Sequence, residues 1–103
     1  MSEAVLSLFR GEIPKPATMR SIAEGVAARH DIPFAVLVGD SRRFPIAHAR
    51  QEAMWLIRQL KHPSGEPRYS LPQIGRFFGG RDHTTVLHGL RAHEARQRAQ
   101  EAA

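Results

Sequence analysis

The sequence predicts an all-α domain of about five helices with a helix-turn-helix in its C-terminal half. Three observations lead there. Apolar residues recur at three- and four-residue spacing in separate blocks, the period of a helix with one buried face. Capping residues and Gly or Pro breakers punctuate those blocks. The one apolar run short enough for a strand, Phe34 to Val38, has no second strand to pair with. At 103 residues the chain fits one domain, which on size scaling buries roughly 60 to 70 per cent of the surface its unfolded chain exposes.

Residues Met1 to Ala17 carry the apolar patch Val5, Leu6, Leu8 and Phe9, then Gly11, Pro14 and Pro16, and predict an irregular or partly helical arm. From Thr18, an N-cap residue type, Met19, Ile22, Ala23, Val26 and Ala27 mark an amphipathic helix to about His30. Asp31 and Pro33 stand where a cap and an early helical proline belong, so Phe34, Val36, Leu37 and Val38 are expected to form a short helix ending at Gly39.

A polar, basic loop, Gly39 to Pro45, precedes a longer helix. Its expected buried stripe is Ile46, Ala49, Ala53, Leu56, Ile57 and Leu60, with Arg50, Gln51, Met54 and Arg58 on another, free face. His62 to Pro67, with two prolines and a glycine, break that helix. Ser70 and Gln73 have capping-box spacing and open a short helix that turns Ile74, Phe77 and Phe78 inward before Gly79-Gly80. The last helix begins near Asp82, buries Val86, Leu87 and Leu90, and continues from Ala92 to Ala103 as a polar, frayed helical tail. The expected divisions are an arm over 1–17, a helix-turn-helix domain over 18–96 and a tail over 97–103.

The net charge of +5, from 15 Lys plus Arg against 10 Asp plus Glu, suits a polyanionic partner. All the basic residues but Lys15 and Lys61 are arginine, whose planar fork makes bidentate contacts to phosphate and guanine. Cysteine is absent, which excludes disulfides and thiolate metal sites and suits a reducing cytosol. No apolar run approaches the roughly 18 residues of a membrane span, and no secretory signal is evident.

The stretch Gly79 to His88 concentrates the functional signal. Glycine lets the chain turn sharply before Arg81. Asp82, His83, Thr84 and Thr85 then fill the first turn of a helix, the part that a helix-turn-helix protein points into the major groove. Carboxylate, imidazole and hydroxyl groups there distinguish base pairs. Asp82 is equally suited to capping the helix, and the two roles are compatible.

Three segments in order, Ala49 to Leu56, Ser70 to Gly75 and Gly79 to His88, closely resemble the C-terminal DNA-binding domain of the bacterial replication initiator DnaA. The resemblance spans about Thr18 to Arg96 and implies a domain IV-like, Trp-repressor-like fold that binds double-stranded DNA without cofactor or metal. DnaA carries an ATPase ahead of this module. No Gly-x-x-x-x-Gly-Lys-Ser/Thr loop occurs here, so a stand-alone relative or fragment without nucleotide binding is expected, cytoplasmic and nucleoid-associated. Nothing specifies more than one copy.

By position, the resemblance implies a minor-groove role for Arg42, accompanied by Arg43. It implies backbone contacts from Arg50, Gln51 and Arg58, and a phosphate contact at the helix opened by Leu71, Pro72, Ile74 and Gly75. Arg81 and Asp82 to Thr85 fall in the base-reading segment, with His88 at its edge. Ile74 is equally suited to the core, and His88 to the bare surface. The chain departs from the family in a longer loop over Lys61 to Tyr69, in a sparser basic loop, and in Ala92, where a phosphate-binding lysine often stands. The longer loop either adds contacts or lengthens the link, and the loss at Ala92 weakens or relocates a backbone contact.

Catalysis fits poorly. His83 and His88 are five apart, about 140 degrees round a helix, and form no same-face metal pair. No nucleophile motif occurs. The alternative function is a protein-interaction module that keeps the fold without specific DNA binding.

Overall fold

The computed structural model describes residues 16–102. Five helices follow in order: α1 (Met19–Arg29), α2 (Phe34–Val38), α3 (Phe44–Arg58), α4 (Leu71–Phe77) and α5 (His83–Ala102). Among the described residues there is no β-strand, only an isolated bridge between Lys61 and Pro67. The expected apolar arm lies largely in residues 1–15, outside the described residues.

α1 starts as expected. The Thr18 hydroxyl accepts from the Ser21 amide at 3.0 Å, and the Ser21 hydroxyl accepts from the Thr18 amide at 2.9 Å. Its inner face, Ile22, Ala23, Val26 and Ala27, is buried. Asp31 corrects one expectation: it does not cap α2. Its φ of 56° is left-handed, its amide donates to Ala28 O at 3.1 Å, and the next amide, Ile32, donates to Ala27 O at 2.8 Å. That pair of bonds is the Schellman end of α1. α2 is a helix, but it starts from Pro33, which offers no side-chain cap.

α3 is the central helix and packs against all four others. This explains a second correction. The stripe expected to be buried is only partly so, with Ile46 and Leu56 half-exposed, while Arg50 and Met54 are buried alongside Ala49, Ala53 and Ile57. A helix enclosed on two sides has no wide free face. Glu52 of α3 pairs with Arg29, and its Oε1 lies 3.1 Å from His30 Nε2, pinning the end of α1.

The long loop closes on itself. The His62 amide donates to Glu66 O at 2.8 Å and the Arg68 amide to Leu60 O at 2.9 Å, while Arg68 Nη1 reaches Ala17 O at 3.1 Å. α4 then opens with the expected capping box, Gln73 amide to Ser70 hydroxyl at 3.2 Å and Ser70 amide to Gln73 Oε1 at 2.7 Å. Phe78 and Ile74 are fully buried with Ile22, Val26, Leu37, Ile57 and Val86, so one core joins α1 to the C-terminal pair.

Candidate nucleic-acid interface

Gly79 and Gly80 both have φ of 83°, the left-handed conformation that glycine adopts without penalty. They end α4 and swing the chain into α5. The amides of Gly80 and Arg81 both donate to Gly75 O, at 3.0 and 2.9 Å. The approach is so close that a Cβ on Gly75 would sit 2.0 Å from Arg81 O.

Asp82 N-caps α5, its Oδ1 accepting from the Thr85 amide at 2.8 Å. That hydrogen bond is the main reason its carboxyl titrates below the ordinary aspartate value. α5 buries Val86, Gly89 and Leu90 on its inner face. Asp82, His83, Thr84, Thr85 and His88 all remain exposed, so the first turn offers its polar groups outward.

The arginines divide into two groups. Arg42 and Arg43 are exposed in the loop before α3. Arg50 and Arg81 instead hold that loop in place. Arg50 is only 5% exposed, and its Nε donates to Leu37 O at 2.7 Å and its Nη1 to Ser41 O at 3.0 Å. Arg81 donates to Phe78 O and, through Nη2, to Gly39 O at 2.8 Å. Two guanidinium groups thus satisfy carbonyls at and just beyond the end of α2 and fasten the basic loop to the start of α5. Burial lowers the pKa of both arginines, and Asp40 partly offsets that.

Arg42 and Thr85 line one cleft of about 680 Å³ between the basic loop, α3 and α5. On α5 its wall is the stripe Thr85, Gly89, Ala92 and Arg96, which falls within about 60 degrees of arc at 100 degrees per residue. α3 contributes Gln51, whose Oε1 is buried without a partner, and Phe44, which is 76% exposed.

The structure therefore brings together Arg42, Arg50, Gln51, Arg81 and Thr85 around that cleft, with Arg43, Asp82, His83 and Thr84 exposed nearby in sequence. It does not place Arg50 on a free face as the helical pattern suggested. Arg58 is half-buried and donates to Tyr69 O at 2.7 Å, fixing the approach to α4. Pro72 is exposed and Leu71 half-buried at the start of α4, whereas Ile74 and Gly75 are buried and have no surface for a phosphate. Arg96 was absent from the sequence-derived set. The signal was available in its spacing, seven plus four residues beyond Thr85, which returns a helix to the same face.

A short capped helix, a two-glycine turn and a second helix that opens with exposed polar side chains define a helix-turn-helix domain. Residues 19–92 match the family model described as bacterial dnaA protein helix-turn-helix. The chain belongs to this DnaA helix-turn-helix family. It is 46% identical over 77 residues to the chromosomal replication initiator protein DnaA of Cereibacter sphaeroides, covering 75% of this chain and 16% of that protein. It is 44% identical over 81 residues to the DnaA of Caulobacter vibrioides (79% and 15%) and 40% identical over 91 residues to that of a Bradyrhizobium species (88% and 18%). The chain thus spans less than a fifth of the length of these relatives. Among the described residues no helix is long and apolar enough to cross a membrane, and no group of three or more His, Asp or Glu could hold a metal ion.

Proposed function

We propose that this protein binds double-stranded DNA in a sequence-specific manner, at elements like the box read by DnaA, and thereby regulates replication initiation or transcription in the bacterial nucleoid. The observation that carries this reading is the outward row Asp82 to Thr85 on a helix whose other face is locked into the core. A rigid helix with polar groups at its exposed start is what major-groove readout requires. Arg42 stands across the cleft from that helix, and its guanidinium enters the adjoining minor groove. Arg81 acts by fixing the loop to the reading helix, and Arg50 does the same from α3. Binding is the whole of the chemistry: affinity comes from phosphate contacts and specificity from base edges.

The test is a titration of labelled duplexes with and without a DnaA box. Tight binding to the box alone supports the reading, and equal affinity for both sinks it. Thr85→Ala is expected to remove about 1 to 3 kcal/mol of discrimination between the duplexes, because one base-edge contact is lost. A protein-interaction role predicts no difference between the duplexes.

A further inference from the structure

We propose that Arg96 is a phosphate-binding residue of the DNA interface, an assignment that rests on the double-stranded DNA reading above. Arg96 lies on the α5 stripe that walls the cleft, three turns beyond Thr85. Long side chains on a helix lean back toward its N-terminus. Its side chain therefore leans over the turn that carries Ala92, and the preceding wall position is Gly89, both small residues. Its Nη2 is shielded from solvent and finds no hydrogen-bond partner among the described residues. Arg50, 5% exposed and on the same cleft, also carries an unpartnered, buried Nη2.

Unpaired charged donors of this kind are costly, and each gains most from an anionic acceptor. No Asp or Glu among the described residues forms an ion pair with Arg96. His48 and His93 face it, and the one acid lining the cleft, Asp40, acts on Arg50 and Arg81. Burial lowers the pKa of both His48 and His93, and the charge of Arg96 lowers them further. A cleft with guanidinium donors in its wall and Arg42 at its edge takes a polyanion, and the backbone phosphate of a duplex lying along α5 supplies the acceptor. Arg96 thus provides from position 96 the cation that Ala92 does not.

The experiment measures the affinity of the whole protein for a box duplex and a scrambled duplex as KCl is raised from about 50 to 300 mM. With about five phosphates contacted, the wild type is expected to show a slope of log K against log salt near −4 to −5. Arg96→Ala weakens both duplexes alike, by about tenfold, and makes the slope shallower by about one. Arg96→Lys keeps the slope, and Ala92→Lys placed on top of Arg96→Ala restores it. Arg98→Ala, an exposed change about 200 degrees round the helix from Arg96, leaves it alone. A steep wild-type slope that Arg96→Ala does not alter overturns the assignment while the DNA reading stands. So does an equal loss in Arg98→Ala, which marks general charge instead of a seated contact. A flat wild-type response overturns the DNA reading and the assignment with it. Arg96→Gln, read in the same way, replaces the alanine variant if that chain melts early.

Discussion

Arginine identity says little about where an arginine goes. Arg42, Arg50, Arg58 and Arg81 all belong to the basic complement that suggested nucleic acid, yet three of them are bonded to backbone carbonyls of this chain. Arg50 is the extreme case, since it is only 5% exposed and its removal takes the donor from both Leu37 O and Ser41 O. Arg50→Ala is therefore expected to cost about 3 kcal/mol of stability, from the loss of two hydrogen bonds to a charged donor. Urea denaturation followed by circular dichroism measures it, and a loss below about 1 kcal/mol contradicts the structural role. Loss of DNA affinity in that variant follows from a displaced basic loop, even without a direct contact.

At the scale of the element, the helix-turn-helix depends on two different uses of glycine. Gly79 and Gly80 were legible as a turn because the dipeptide breaks helices wherever it occurs. Gly75 was not, because a glycine within a helix reads only as weak propensity. Its Cβ-free surface is needed by Arg81, six residues on, and that approach exists only once the turn has closed. Gly80→Ala is expected to cost about 1 to 2 kcal/mol, the strain of a side chain in the left-handed region, since no atom lies within 4 Å of a Cβ there. Gly75→Ala is expected to cost more than about 3 kcal/mol, because two backbone segments must separate. Thermal melting of the two variants orders them, and a milder effect at Gly75 would contradict the packing described. The caps at Thr18 and Ser70 were readable in advance, since each joins residues three apart.

For the whole molecule, burial depresses the pKa of three histidines, His30, His48 and His93, below 6.5. A depressed pKa means that the unfolded chain binds the proton more strongly. Their contribution to stability is thus complete above pH 6.5 and declines as pH falls through and below that value. Melting temperature is expected to drop between pH 7.5 and pH 5.5, about one unit either side of the ordinary histidine value. A flat profile would contradict it. Trp55, the one tryptophan, lies 5.5 Å from the His93 ring, so quenching of its emission on acidification should show a midpoint below 6.5 that disappears in His93→Gln. The sequence by itself determined the five helices, the caps of α1, α4 and α5, the two-glycine turn and the outward polar row of α5, because these depend on residues three or four apart and on the helical period. Tertiary structure alone decided which arginines remain available and which serve the fold. The carbonyls of Ser41, Leu37 and Gly39 that hold Arg50 and Arg81 lie 9, 13 and 42 residues away along the chain, and only packing around α3 brings them within reach.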